Sequence, residues 1–335
     1  MALVFPNAGP ATTPPIYPTG SLAPNPDYSN NFIPEIYSGK LIEKFYAATV
    51  LAVISNTAYE GEIKNFGDTV IIRTVPTITI KPYLAMGDLE LERPSSAPVT
   101  LKIDKGFYFN TGLDDVMKVQ SDINQMNLWS DDAGQQMKIK IDATVLLGII
   151  NKAVAANRGV AAGAISADIN LGATAAPLPV VAVQANPPVA GQVTPVDVIT
   201  RLGQTLDEQN IPDTNRWVVI PTWFGTQIKR SELRQVFLSG DSVSMLRNGK
   251  LGEIDRFSVY CSNLLPNGVA AGLVAGEHVI FAGTTHALTF ASQLTKMETL
   301  RSERTFGNIL RGLQVFGFEV LDGKALAQAI VTNGE

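Results

Sequence analysis

His278 and His286 are the only histidines in the chain, and Cys261 is its only cysteine. A metal centre needs three or four His, Cys or carboxylate ligands brought together. These two histidines lie eight positions apart across an expected strand and turn, without a clustered carboxylate or thiol. A single cysteine excludes both an intrachain disulfide and cysteine-ligated zinc, and within the run Phe257-Ser258-Val259-Tyr260-Cys261 it reads as a buried free thiol. No G-x-S-x-G elbow presents a serine nucleophile, and no glycine-rich dinucleotide or phosphate loop occurs. Asn248-Gly249-Lys250 is followed by Leu251 and lacks the upstream glycine that a phosphate loop requires. The acid pairs Asp114-Asp115 and Asp131-Asp132 fall at expected helix starts, where the helix dipole explains them better than catalysis does. No metal, cofactor or catalytic residue is assigned.

The remaining chemistry is recognition chemistry. Lys296, Glu298, Arg301, Glu303 and Arg304 crowd the middle of a strand pair. They form either a solvated strand face or a salt-bridge patch that sets the register of a partner. Hydrophobic residues make up 45% of the chain and charged residues only 17%, against about a quarter in a freely dispersed protein, so part of the surface is expected to be covered by partners. The net charge of −5 argues against a protein whose task is gripping nucleic acid, though not against a shell lining that tolerates it. The N-terminus has neither a basic nor an apolar signal region, and the charge-free stretch 169–196 carries five prolines, so neither a secretory signal nor a membrane span is expected. The chain should be soluble and intracellular when made.

The elements that position these groups follow from periodicity. Residues 131–157 repeat apolar residues at helical spacing (Met137, Ile141, Val145, Ile149) with a second row at Ile139, Leu146, Ile150 and Val154. This predicts a strut of roughly 40 Å covered on two sides, capped by Ser130 and ending at Asn157-Arg158-Gly159. Residues 1–33 are rich in Pro, Asn and Gly yet carry Phe5, Tyr17, Tyr28 and Phe32, which suits an extended arm with anchors. A helix is expected over 34–55, and a shorter one over 114–127.

Thr77 to Tyr83 and Val99 to Asp104 alternate as strands do, so 68–110 reads as a long two-stranded hairpin with an acidic tip. A lone ribbon is marginal in water and has two open edges. Nothing later in the chain is an obvious lid, whereas a neighbouring copy would serve. After a long loop (158–194, with a strand near 178–183) come a helix over 196–209, a strand over 216–221, a helix over 222–230 and a glycine-rich loop over 238–252. Strands over 254–261 and 277–282 follow, then a strand pair turning near 305–308, and last a short apolar helix over 325–331.

Several short motifs fall in a fixed order: Asn56-x-x-Tyr59-x-Gly61, Gly67-Asp68-Thr69-Val70, Asn210-Ile211-Pro212 before Arg216-Trp217-Val218-Val219-Ile220-Pro221, then Arg311-Gly312 with Phe316-Gly317. In this order the chain resembles, from Phe32 onward, the major capsid proteins of tailed bacteriophages. Those proteins have the HK97-like fold, an α+β architecture.

The resemblance implies an N-terminal arm (1–33), a helix leading into the P domain (34–67), an E-loop hairpin (68–110), and a P-domain spine with its long loop (111–194). An A domain (195–285) and P-domain strands with a P-loop (286–335) follow. It implies that Ile78, Ile80, Lys81, Tyr83, Met86, Leu89 and Leu91 of the E-loop lie on an adjacent subunit. Lys296, Glu298, Arg301, Glu303 and Arg304 would meet neighbours at three-fold contacts. Leu238, Asp241, Arg247 and Lys250 would lie near five- and six-fold axes. Implied partners are further copies in pentamers and hexamers, a separate scaffolding protein, a portal, a decoration or cement protein, and packaged DNA touched without sequence preference. Assembly would take place in the host cytoplasm and the product would be the virion capsid. Some relatives cross-link a lysine to a neighbour's asparagine; Lys81 has no matching motif and no cross-link is expected. An encapsulin-type cellular shell and an enzyme are the other classes left open.

Overall fold

A computed structural model describes residues 46–47, 49–59, 69–76, 78–83, 91–115, 118, 125–183, 189–231, 252–303 and 305–335, which all belong to one compact unit, Phe45–Glu335. Its centre is a six-stranded mixed sheet in the order β4 (Leu178–Val180), β11 (Leu326–Asn333), β8 (Glu277–Thr284), β5 (Arg216–Ile220), β7 (Phe257–Cys261), β6 (Glu253–Ile254). Both faces of this sheet are covered. On one, Val218, Ile220, Ile280, Ala327 and Val331 meet Val198, Ile199, Leu202 and Leu206 of α3 (Pro195–Glu208) and Phe224 and Ile228 of α4 (Thr222–Arg230). On the other, Trp217, Val219, Phe281, Leu326 and Ile330 meet Ile141, Val145, Leu146 and Ile149 of α2 (Gln125–Gly148).

That double coverage explains the clearest departure from expectation. The expected helix over 325–331 is absent: Ala325 ends a 3-10 turn and residues 326–331 are the first six of β11, all buried. A strand buried on both faces loses the alternation that identifies strands and reads as a continuous apolar run. Strand β11 pairs with β4 and β8, so strand pairing crosses the expected boundaries at 194 and 285.

The spine helix is displaced toward the N-terminus of its expected range. It begins by Gln125 and ends at Gly148, so Ser130, Asp131 and Asp132 lie inside it rather than at its cap. The turn beyond it is closed by Asn151 at φ 62, whose N–H donates to Gln328 Oε1 at 2.8 Å. At Gly148 the Phe318 ring stands 2.3 Å from where a Cβ would be, so any side chain there would have to displace the ring. One flank is buried, while Lys138, Lys140 and Leu147 are exposed, so the helix is not covered on two sides. The expected helix over 34–55 survives, within its described part, only as the single turn α1 (Leu51–Ile54). Asp114 closes a strand, and the expected short helix starts one residue later, with Asp115 and Lys118 helical.

Where the sequence supplies local signals, the elements match. α3 is entered through a reciprocal capping box between Thr194 and Asp197 with Pro195 in the first turn. The expected strand over 254–261 is two strands, β6 and β7, joined by a tight turn in which Asp255 (φ 48) and Arg256 (φ 64) take left-handed conformations.

Two smaller sheets extend from this body. Strands β3 (Lys105–Asp114), β10 (Gly307–Val320) and β9 (Leu288–Arg301) form an antiparallel sheet in that order. Strands β1 (Thr69–Ile72) and β2 (Val99–Lys102) form the root of the hairpin. Phe107, Tyr108 and Phe109 therefore belong to β3 and not to the hairpin, which ends near Lys102.

Candidate assembly interfaces

The hairpin root is bound to the body from two directions. Asn56 accepts from Phe290 N–H and Thr289 Oγ1 through its carbonyl, donates its N–H to Leu288 O, and caps Ala58 N–H with its side chain. Tyr59, Val70, Ile72 and Val315 pack around buried Leu101, Ile103 and Ala291. Gly317 allows the chain after β2 to cross β10, since a Cβ there would stand 2.2 Å from Lys102 O. Gly312 lies under the Phe109 ring, 2.3 Å from where its Cβ would be. These contacts give two of the sequence motifs a physical reason.

Beyond the root the two limbs keep the register of β1 and β2. Thr69 faces Lys102; further out Thr74 Oγ1 donates to Ala97 O at 2.8 Å, and Thr79 N–H donates to Glu92 Oε2 at 3.2 Å. Counted outward from the pairing of Ile72 with Val99, this register sets Ile80 across from Leu91, although the described residues between 73 and 98 lie outside any strand. At the root Leu101 is fully buried and Val70 and Ile72 are half-buried, whereas Ile80 is 89% and Leu91 92% exposed. Ile78, Val75 and Tyr83 are exposed as well, and Lys81 lies exposed beside them. Among the described residues, the apolar side chains of the outer hairpin are therefore left uncovered, in contrast to Leu101 at the root. Met86 and Leu89 lie outside the described residues.

The second surface is the end of the β9–β10 pair. Lys296 Nζ meets Glu298 Oε2 at 3.2 Å, Arg311 meets the same carboxylate, and Arg301 meets Asp115. Hydrogen bonds from Arg311 and then Lys296 hold the Glu298 carboxyl below its usual range. These charges pair within the chain. Glu303 is exposed at the turn, and Arg304 lies outside the described residues. The sequence reading missed Phe306, which is 82% exposed at this tip, and Tyr108, exposed on the sheet face that also carries Leu313 and Leu300. The only signal for Phe306 was an aromatic between Thr305 and Gly307 in a turn. The arm residues Phe5, Tyr17, Tyr28 and Phe32 and the axial-loop residues Leu238, Asp241, Arg247 and Lys250 lie outside the described residues.

Other polar groups hold the body together. Arg216 is buried, donates to Asp207, Ile211 O and Pro212 O, and thereby fixes the turn after α3. Burial pushes the Asp207 carboxyl up, but hydrogen bonds from Arg256 and Arg216 outweigh it and the net shift is downward. Asp142 of α2 is buried and accepts Val50 N–H at 2.7 Å, which ties the segment before α1 to the spine. Burial raises its pKa against the opposing pull of the Val50 and Leu51 N–H groups. His278 packs edge-on to Trp223, 5.5 Å between centroids, and burial lowers its pKa. Cys261 is half-buried, with its thiol pushed up by burial. Among the described residues no group of three or more His, Cys, Asp or Glu side chains could hold a metal ion.

Among the described residues nothing covers Ile80 and Leu91, an arrangement that suits burial against another copy. The family model described as phage capsid protein matches residues 98–329, and the chain belongs to that family. No curated protein matches it in sequence. Among solved structures it is similar to a chain from Mycobacterium phage Che8, at 23% identity and a TM-score of 0.69, covering 90% of this chain and 97% of that one. It is also similar to the capsid of cyanophage P-SCSP1u (15% identity, TM-score 0.68, 95% and 99% covered). The mature capsid of bacteriophage PhiM1 gives 15% identity and a TM-score of 0.66, with 90% and 92% covered. The fold is the α+β, HK97-like capsid fold.

Proposed function

We propose that copies of this chain close into the icosahedral head shell that encloses the double-stranded DNA of a tailed phage, with each hairpin seated on an adjacent copy. The observation that carries this reading is the contrast between buried Leu101 and exposed Ile80 and Leu91. Hairpins that must be covered head-to-tail generate closed rings when the rotation closes. On this reading 68–110 is the E-loop, 111–194 the spine and its loop, 195–285 the A domain, and 286–335 the P-domain strands. Pentamers and hexamers, a separate scaffolding protein, a portal, a decoration protein and non-specific contact with DNA complete the proposal. So do assembly in the host cytoplasm and a structural rather than enzymatic role. Membership of a phage capsid family favours this over a cellular compartment.

The test is assembly of purified protein followed by sedimentation and electron microscopy, with Ile80→Asp/Leu91→Asp alongside. Closed shells from the unaltered chain and none from the double variant are expected. Shells from the double variant at unchanged concentration would refute the reading.

A further inference from the structure

A cleft of about 410 Å³ opens between the turn after α2, the loop at 172–174 and β11, and Asn151, Arg158, Gly172, Thr174, Gln328 and Ile330 line it. Its walls come from segments far apart in sequence and are tied to one another. Leu171 N–H donates to Gly159 O at 2.8 Å, Ile330 N–H to Leu171 O at 2.9 Å, and Asn157 Nδ2 to Leu326 O at 2.9 Å. Gly172 (φ 77) lets the loop pass against β11, since a Cβ there would stand 2.2 Å from Ile330 O. The groups on these walls are unmatched in one direction. Arg158 is half-buried, yet its guanidinium makes no hydrogen bond or ion pair among the described residues. No aspartate or glutamate lines the cleft. Gln328 is buried, its Oε1 accepts from Asn151 N–H at 2.8 Å, and its Nε2 reaches Asn151 Oδ1 at a long 3.4 Å. An amide nitrogen carries two hydrogens, so one donor is left over. The Thr174 hydroxyl, exposed at the rim, is another donor without a partner among the described residues.

We propose that this cleft binds an acidic peptide segment of another protein, seating one carboxylate on Arg158. The occupant follows from charge and shape. A guanidinium fork matches both oxygens of a carboxylate at once, and the spare donors of Gln328 and Thr174 suit the remaining lone pairs. A single cation balances a singly charged carboxylate and leaves a phosphate dianion half-compensated. Ile330, Ala155 and Ala173 give the methylenes that carry a carboxylate an apolar wall to lie on. Nucleic acid is disfavoured, because it calls for a basic stripe along the surface rather than one cation within a cleft. The walls are already held in place, so little ordering opposes binding.

The inference goes beyond the shell reading and does not depend on it, because the cleft is complete within one chain and is tested on the unassembled full-length subunit. The probe is a blocked tripeptide with glutamate between two glycines, titrated into isotope-labelled protein. Binding is followed by nuclear magnetic resonance at the amides of Gly159, Gly172 and Thr174 and at the side-chain amide of Gln328. The same tripeptide with glutamine in the middle, and inorganic phosphate, are titrated alongside. The glutamate peptide should shift these signals with a Kd of about 1 mM, and the glutamine peptide and phosphate should bind about tenfold more weakly or worse. Arg158→Met should abolish the shifts. Arg158→Lys should weaken binding, since an ammonium keeps the charge and loses the fork. Arg158 has no partner to lose, so both variants should melt at the temperature of the unaltered subunit. No shift with the glutamate peptide, shifts that persist in Arg158→Met, or phosphate binding as tightly as the glutamate peptide would each overturn the inference.

Discussion

Gly317→Ala tests how the hairpin is fastened to the body. A Cβ at this position stands 2.2 Å from Lys102 O, 2.9 Å from Lys102 C and 3.0 Å from Ile103 Cα, while ordinary contact begins near 3.4 Å. The obstructing atoms are backbone, so no side chain can rotate to make room. The root must retreat by about 1 Å, which lifts Leu101 and Ile103 off Ala291. Overpacking against a stiff neighbour costs about 1–3 kcal/mol. Lost burial adds part of the roughly 2 kcal/mol that a buried aliphatic side chain contributes. The expected loss is therefore about 2–4 kcal/mol in urea denaturation of the unassembled subunit. Hydrogen exchange at Val70 and Leu101 should also quicken. Two controls calibrate the result. In Gly312→Ala the clash is with the Phe109 ring, which can swing aside, so about 1 kcal/mol is expected. In Gly112→Ala nothing lies within 4 Å, and stability should not fall. If Gly317→Ala loses no more stability than Gly112→Ala, the close crossing of hairpin root and β10 is wrong.

Three further changes probe the polar fastenings. Asp142→Ala leaves Val50 N–H without its acceptor and should cost about 1–3 kcal/mol. Because burial raises the folded pKa of Asp142 above its ordinary 3.8, its contribution is fully present below that value and is lost as pH rises through the folded value. Asp142→Asn should remove that decline from a series of melting temperatures against pH. Glu208 behaves oppositely. Hydrogen bonds from Ile165 N–H, Ser166 N–H and the Ser166 hydroxyl lower its pKa from 4.5 to about 2, so the clasp on this loop is present above 4.5 and lost as pH falls through about 2. Glu208→Gln should speed exchange at the Ile165 and Ser166 amides at neutral pH and flatten its acid dependence. Arg216→Met orphans Ile211 O and Pro212 O while Asp207 keeps Arg256, and should cost about 2–3 kcal/mol by denaturation.

The parts legible in the sequence were those set by neighbours along the chain. The helical spacing of Val198, Ile199, Leu202 and Leu206 announced α3, the run Arg216 to Ile220 announced a buried strand, and Thr222 to Arg230 matched α4 residue for residue. The parts misread were set by contacts distant in sequence. Residues 326–331 became a strand because β4 and β8 flank them and helices cover both sheet faces. Ser130, Asp131 and Asp132 looked like a cap but lie inside α2, where Asp132 Oδ1 accepts from Tyr46 Oη at 2.9 Å. Ile78, Ile80, Tyr83 and Leu91, which the resemblance implies lie on an adjacent subunit, are exposed. Charge drew attention to Lys296, Glu298 and Arg301 and away from Phe306, since a sequence does not reveal that a charge is already paired.

The most direct measurement is hydrogen exchange at the amides of residues 74–83 and 91–97, compared between unassembled subunit and purified shells. A hairpin covered only by an adjacent copy should exchange rapidly in the subunit and become strongly protected in the shell, while β5 and β8 stay protected in both. Equal protection of the hairpin in the two states would contradict the account.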